Sequence, residues 1–471
     1  MLKPDTDWAA VILVAGEGSR MNSDLPKVLH PVCGREMVRH VLDALGEVRA
    51  GLVVAVVAPG ATAVRDSLGD LVEYVEQPDP RGTGHALLQA KELLQDRASN
   101  ILVLYGDTPL LLPATLAEIM EHHQSEKAAV TILTSQLAPP DGLGRVVRDD
   151  ASGRITKVVE ERVADETELA ISEINGGAYA FDSRWLWPAL RKIALSEVEE
   201  YFLTDIVNLA AGAGAKVESV ESREAMEVLG VNDRVQLSQA ERAMRERILR
   251  RWMLAGVTII DPDATYIQAG VTLGRDTTIH PNTTLNGATT IGKRCVLGPG
   301  AAVYDSVVGD DCTIGASVLE GAHLESRVNV GPFSHLRPGT VLEHGVFIGN
   351  YAEIKNSRLG RGTVMGHFSY VGDADVGEKV NIGAGAVTCN FDGVSKNRTI
   401  IEDRAFIGSD TMLVAPVRIG AGAITAAGSV VNRDVPPGSV AIGVPARIKH
   451  SKKDSDRAAI GPESGGQSKI G

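Results

Sequence analysis

The chain has 471 residues, with 60 acidic side chains against 47 basic ones, a formal net charge of -13 and four cysteines. At that length a single core stops growing, so two large domains are expected. The acidic balance excludes non-specific nucleic-acid binding, which needs a basic surface; the partners expected are small molecules.

Residues 1–8 are polar and only a short apolar run, 9–15, follows. Neither a signal-peptide core nor a membrane span is expected, and the expected compartment is the cytoplasm. Cys33, Cys295, Cys312 and Cys389 lack metal-ligand spacing and read as reduced structural thiols. From residue 9 to 230, strand-like runs at 9–15, 52–58, 101–104 and 129–134 alternate with helix-like stretches at 34–48, 84–95 and 113–124. The alternation predicts βαβ units around a mostly parallel, Rossmann-like sheet, with ligands at the carboxyl ends of its strands.

The first strand runs into Gly16-Glu-Gly-Ser-Arg-Met21, followed by Leu25-Pro-Lys-Val28. Glycines at 16 and 18 let backbone N–H groups approach phosphate oxygens, and Arg20 and Lys27 supply charge. A lone GxG is also what an ordinary strand–helix turn contains, and neither the Walker ending nor the full GxGxxG is present. Further on, Gln77 and Arg81-Gly-Thr-Gly-His85 follow an apolar segment, where Thr83 would equally cap a helix. The strand 101–104 ends in Tyr105-Gly-Asp107, a carboxylate placed for Mg²⁺ or, equally, for a helix start before Thr108-Pro109.

Between 232 and 254, Leu237, Ala240, Met244, Ile248 and Trp252 share one helical face, while Arg242, Arg245, Arg247, Arg250 and Arg251 occupy others. The stretch predicts one long linker helix whose arginines form a solvated face.

After it, aliphatic residues return every sixth position: Leu273, Ile279, Leu285, Ile291, Leu297 and Val303. Four residues after each comes a small or β-branched one: Thr277, Thr283, Thr289, Cys295, Ala301 and Val307. Neither a 3.6-residue helix nor a period-2 strand keeps that beat, which predicts a hexapeptide β-helix with triangular coils of three hexads. The beat slips at Val308 and Ile314, resumes, and breaks between Val387 and Ile401, so 388–398 should project as a loop. Arg337, Glu353, Lys355, His367, Tyr370 and Asn381 are polar residues that such a coil does not need. The beat is lost after Val444, and 451–471 is expected to be disordered. The expected domains are therefore 1–231, a linker helix 232–255, a β-helix 256–450 and the tail.

The stretch LVAGEGSRM…LPKVL resembles the sugar-1-phosphate nucleotidyltransferases. By that resemblance Arg20 contacts a triphosphate, Lys27 the phosphates at the reacting centre, and Gln77, Gly82 and Thr83 read a pyrimidine. Leu13, Val14, Ala15, Gly16, Tyr105 and Gly106 line the nucleotide, while Gly144, Glu160 and Asn175 hold the sugar. Asn232 completes, with Asp107, a Mg²⁺ site. Gly366-His-Phe-Ser-Tyr-Val-Gly-Asp373, Asn381-Ile-Gly-Ala-Gly385 and Cys389-Asn-Phe-Asp-Gly393 resemble the acyl-CoA transferases with hexapeptide repeats, whose coil is a left-handed parallel β-helix. That resemblance makes His367 a general base, oriented by Glu353. Arg337 and Lys355 bind a sugar phosphate, and Tyr370, Asn381, Asn390 and Phe391 line the sugar and its reacting carbonyl. Ala384, Ser409 and Ala427 meet acetyl-CoA, joined by Arg447 because Val444 stands where some relatives place an arginine. The fusion implies acetyl transfer from acetyl-CoA to glucosamine 1-phosphate, then uridylyl transfer from UTP to N-acetylglucosamine 1-phosphate, in a homotrimer. The rival reading is a single-activity nucleotidyltransferase whose β-helix is structural or regulatory.

Overall fold

The apolar runs of the first half become one nine-stranded sheet. Its order is Val217–Glu221, Val130–Gln136, Glu173–Asp182, Ala98–Tyr105, Thr6–Leu13, Leu52–Val57 and Glu73–Glu76, with Arg145–Arg148 and Ile155–Val159 as an appended antiparallel pair. Only Glu173–Asp182 runs against its neighbours along that order. The computed structural model describes residues 6–16, 18–137 and 142–450; the tail 451–471 and Glu17 lie outside the described residues. The chain divides into two compact units between Arg247 and Ile248.

Strands of this sheet are covered on both faces, which is why they read as unbroken apolar runs. Ala9, Val11 and Leu13 face one core with Leu87, Leu94, Leu186 and Ile206. Ala10, Ile12 and Val14 face the other with Val38, Leu45, Leu68, Leu116 and Ile119. The helix-like stretch 34–48 begins later than its periodicity suggests. Cys33 and Gly34 both take positive φ (47° and 75°) and turn the chain through a hairpin of Pro31–Val32 with Arg35–Glu36, so the helix is Met37–Glu47. The stretch 84–95 is two helices, Thr83–Gln89 and Lys91–Leu94.

The linker helix is Arg234–Leu254. Its apolar stripe packs Leu237, Ala240 and Met244 on Val32, Met37, Leu110 and Val231. Arg242 is solvated beside Glu246, as expected. Arg247 is not: with its side chain 19% exposed, it donates to Leu110 O at 2.6 Å and to Glu224 Oε2 at 3.0 Å. Two carbonyl or carboxylate oxygens at the sheet unit's surface hold it, which a helical wheel cannot anticipate.

The second half is a parallel β-helix whose coils each give one short strand to each of three faces. Ile279, Leu285, Ile291, Leu297 and Val303 point inward, as do the small slots Thr277, Thr283, Thr289, Cys295 and Ala301. Val307 departs from the expected pattern and is 43% exposed. Thr290 pairs with Val307, one residue short of three hexads, so Ser306 fills the buried slot instead. Corners demand residues without side chains: a Cβ on Gly349 would lie 1.9 Å from Gly366 O in the next coil.

Candidate active sites

Thr6–Leu13 lies at the centre of the sheet, where successive connections depart to opposite sides, and its carboxyl end pairs Leu13 with Tyr105 and with Val56. A crevice opens at such a switch point. Here it is a cavity of about 590 Å³ lined by Leu13, Val14, Ala15, Gly16, Arg20 and Lys27 from the first strand's exit, and by Gln77, Gly82, Thr83, Tyr105 and Asp107. Gly144, Glu160, Asn175 and Asn232 complete its wall, so segments far apart in sequence converge there. Gly106 stands behind it: its N–H donates to Leu13 O at 3.0 Å, and a Cβ would meet Val14 Cγ1 at 2.4 Å. Gly18 also serves packing rather than lining, since its φ of 64° and missing Cβ make room for Lys27 Cβ.

At the floor of the cavity the Lys27 ammonium is held by Asp107 Oδ2 and, at 3.2 Å, by Asn232 Oδ1. Backbone bonds keep the two oxygens in register, because Val231 N–H donates to Asp107 O at 2.9 Å and Asn232 N–H to Gln236 Oε1 at 2.8 Å. Gln77, nearly buried, gives its Nε2 to Gly82 O at 3.1 Å, and Thr83 Oγ1 accepts from Leu203 N–H at 3.0 Å. Glu160 Oε1 accepts from the Thr204 hydroxyl at 2.9 Å, while burial raises the Glu160 carboxyl above its usual range. Asn175 Nδ2 donates to Tyr179 OH at 2.6 Å. Arg162 and Glu200, 3.6 Å apart, also line the cavity. Sequence reasoning missed both, since neither charge lies in a recognisable motif.

In the β-helix, strand register places residues exactly one coil apart in columns. Val364 pairs with Asn381, Asn381 with Phe406, and Phe406 with Ile424. On the adjoining face Tyr370 pairs with Val387, Val387 with Met412, and Met412 with Val430. Midway between these faces, His367, Ala384, Ser409 and Ala427 therefore occupy one corner column. Beyond exposed His367 the side chains of this column shrink to Ala384, Ser409 and Ala427. The residue after the column position takes positive φ at Gly385, Asp410 and Gly428, as does Tyr351 in the coil before, whereas Phe368 does not, so the His367 turn has its own shape. Arg447, exposed, opens the strand that returns antiparallel on Ser439–Ile442 just past Ala427.

Glu353 sits opposite Tyr370, and its Oε1 accepts from Arg337 Nη1 at 2.9 Å. Lys355, on the same strand, has its pKa lowered chiefly by Lys396 and then by Arg337. Three cations thus gather beside Tyr370, one of them, Lys396, from the inserted loop. The insertion is a tight projection: Phe391 bridges Lys396, and Asp392 Oδ1 accepts from Val394 N–H at 2.9 Å and Ser395 N–H at 2.7 Å. These bonds hold the Asp392 carboxyl far below the usual carboxylate range and leave Val394 92% exposed at the tip. Phe391 is exposed, whereas Asn390 is nearly buried at the loop's base.

Residues 10–198 match the MobA-like NTP transferase domain, 398–433 the bacterial transferase hexapeptide (six repeats), and 306–331 the hexapeptide repeat of succinyl-transferase. Curated relatives extend over nearly the whole length. A protein of Halalkalibacterium halodurans named bifunctional protein GlmU is 44% identical over 94% of this chain and 97% of its own. Proteins of the same name from Brevibacillus brevis and Pelobacter propionicus are each 46% identical over 92% of this chain, and over 94% and 95% of their own.

Proposed function

The chain belongs to the bifunctional GlmU family, and we propose that it makes UDP-N-acetylglucosamine in two steps, one in each half. Acetyl-CoA first acetylates glucosamine 1-phosphate; UTP then uridylylates the N-acetylglucosamine 1-phosphate, and pyrophosphate leaves. The observation that carries this reading is the presence of two separate chemical sites, each within its own unit: the cavity at the sheet's switch point and the cationic cluster beside the His367 column. A purely structural coil needs neither the reshaped turn at His367 nor three cations at one loop, which weighs against the single-activity reading.

Uridylyl transfer is an in-line attack by the sugar-phosphate oxygen on the α-phosphorus, and it asks for positioning and charge neutralisation rather than a protein nucleophile. Gly16 leaves open space for a phosphate to approach the backbone, and Arg20 and Lys27 neutralise it. Gln77, Gly82 and Thr83 form the base end; Gly144, Glu160 and Asn175 form the sugar end. The residues fit Mg²⁺, since Asp107 Oδ2 and Asn232 Oδ1 already hold one cation, the Lys27 ammonium, between them. Magnesium takes few protein oxygens and completes its shell from phosphates and water; when bound it would spread the charge developing on the triphosphate. Lys27, beside Asp107 in the same cavity, would supply its positive charge to the phosphates.

In the second site His367 takes the proton from the glucosamine amine as it attacks the thioester, the task of a positioned general base, and the coenzyme leaves as its thiol. Arg337, Lys355 and Lys396 hold the sugar phosphate, and Tyr370, Asn381, Asn390 and Phe391 surround the sugar. From His367 to Ala427 the column of small side chains covers three strand spacings, about 14 Å, which accommodates an extended coenzyme arm along Ala384 and Ser409.

The homotrimer reading is supported by an asymmetry among the faces. The outward column Val296, Thr313, Asn329, Phe347, Val364, Asn381, Phe406 carries no charge, and Val296, Phe347, Val364 and Phe406 are 37–48% exposed. The face carrying Arg358, Asp375 and Arg418 is laced with ion pairs instead. An uncharged wall with four exposed large apolar side chains next to the His367 corner suits a second copy, which would cover the column of small side chains. No helix among the described residues is long and apolar enough to cross a membrane, and the cytoplasm is the proposed compartment.

Purified protein incubated with acetyl-CoA, glucosamine 1-phosphate, UTP and Mg²⁺ should yield UDP-N-acetylglucosamine, and omission of any component should abolish it. Asp107→Asn should lower uridylyl transfer by orders of magnitude while thiol release from acetyl-CoA stays near normal. Uridylyl transfer that needs neither Mg²⁺ nor Asp107 would overturn the assignment.

A further inference from the structure

One corner of the β-helix, where the face bearing Tyr370 turns toward the next, carries a ladder of three polar residues on successive coils: Asn356, Asp373 and Asn390. The Asp373 carboxylate is the middle rung. Its Oδ1 accepts from Asn356 Nδ2 at 2.6 Å and its Oδ2 from Asn390 Nδ2. Asp373 also adopts a positive φ of 49° and is 9% exposed. Its backbone is tied on both sides: Asp373 N–H donates to Lys355 O at 3.1 Å, and Thr399 N–H donates to Asp373 O at 3.2 Å. The residue therefore bonds the strand bearing Lys355 and both ends of the inserted loop, Asn390 at its start and Thr399 just after its end.

We propose that Asp373 is a positioning residue for acetyl transfer, which fixes the Asn390 carboxamide and the inserted loop and holds Lys355 and Lys396 together for the sugar phosphate. The inference rests on the acetyl-transfer reading of this site. Its chemistry is specific to a carboxylate. Both neighbouring amides direct their N–H₂ groups at position 373, so the central rung must offer two acceptors and no donor; a carboxamide there would oppose one donor with another. With its Nδ2 engaged, Asn390 has its amide orientation set and keeps Oδ1 as its acceptor. The negative charge also offsets the repulsion between the two lysines. Although burial opposes ionisation, the two amides, Lys396 and Lys355 together hold the carboxyl below its ordinary range.

Wild-type acetyl transfer, measured by thiol release, tests the underlying reading; the variants are judged relative to it. Asp373→Asn should lower kcat/KM for glucosamine 1-phosphate by about 10–100-fold, chiefly through KM, as expected for loss of a charge-assisted hydrogen bond and a counter-charge. Uridylyl transfer by the same sample, which uses the other unit, should be unchanged and reports that the chain is folded. Asn356→Ala removes the other rung without touching Asn390 and should leave acetyl transfer within about twofold. A second readout is the pH profile. Lys355 faces Lys396 from the loop, Arg337 (itself paired with Glu353) from the preceding coil, and Asp373 from the following one. Removing the Asp373 charge, which favours the Lys355 ammonium, makes that ammonium lose its proton at lower pH, so the alkaline limb of kcat/KM should move down in Asp373→Asn. Asp373→Ser, uncharged and too short to reach both amides, should behave likewise and serves if the asparagine variant does not fold. Equal effects of Asp373→Asn and Asn356→Ala, or an unmoved alkaline limb, would make the ladder merely structural and overturn the proposal.

Discussion

His367 stands exposed at a corner whose turn differs from its neighbours. His367→Ala should slow acetyl transfer by about 10²–10⁴-fold, the usual worth of a positioned general base, with uridylyl transfer intact. A thiol-release rate near wild type would reduce the imidazole to a surface group. His123 is the opposite kind of histidine. It is 1% exposed, bonded to Thr131 Oγ1 at 2.9 Å and set edge-on to Trp8, and burial lowers its pKa to about 4. Its folded pKa lies below the unfolded value of 6.5, so between those values the unfolded chain binds more protons and stability falls as pH drops. The contribution is complete above pH 6.5 and lost on passing through pH 4, amounting to about 3 kcal/mol. Denaturant titrations between pH 7.5 and 4 should show a steeper loss in wild type than in His123→Gln; parallel curves would refute the burial argument.

The linker helix shows how an element can be legible while its role is not. Its length and apolar stripe follow from spacing, but which surface the stripe covers, and that Arg247 anchors to Leu110 O and Glu224, depends on a unit folded from distant sequence. Cutting the chain at Arg234 exposes Val32, Met37, Leu110 and Val231 and releases Arg247's two acceptors. A fragment ending at Arg234 should keep measurable uridylyl transfer, since every cavity-lining residue precedes the cut, although it loses the Gln236 acceptor of Asn232 N–H, and should melt several degrees below one ending at Leu254. Equal melting temperatures would show that the stripe contributes nothing. The inserted loop was likewise visible as a break in the hexad beat, and Asn-Phe-Asp-Gly is an Asx-turn signal. Its anchoring through Asn390 to Asp373 was not visible, because those residues meet only when coils stack.

For the whole molecule, light scattering should give a mass near three times 49.8 kDa. Phe347→Glu on the uncharged face should shift the protein toward monomer and lower acetyl transfer, leaving uridylyl transfer in place. A fully active monomer would remove the shared-site argument, whereas a trimer unaffected by Phe347→Glu would place the interface on another face.

Amphipathic period and hexad beat are properties of residues near one another in the chain, so they reveal a parallel sheet, a long helix and a β-helix without any coordinates. Motif order was enough to nominate His367, Asp107 and Asn232. Coil length is different in kind. Whether a turn takes three hexads or one residue fewer depends on the corner's backbone, and that decided that Ser306, not Val307, enters the core. Columns follow from coil length: only after stacking do His367, Ala384, Ser409 and Ala427 align in one corner column, and only then do Arg337, Lys355 and Lys396 share one field. In the first unit the sheet's strand order brought Asp107 and Asn232 to the same ammonium across more than a hundred intervening residues. Local periodicity records which face a residue shows, while long-range pairing decides what that face meets.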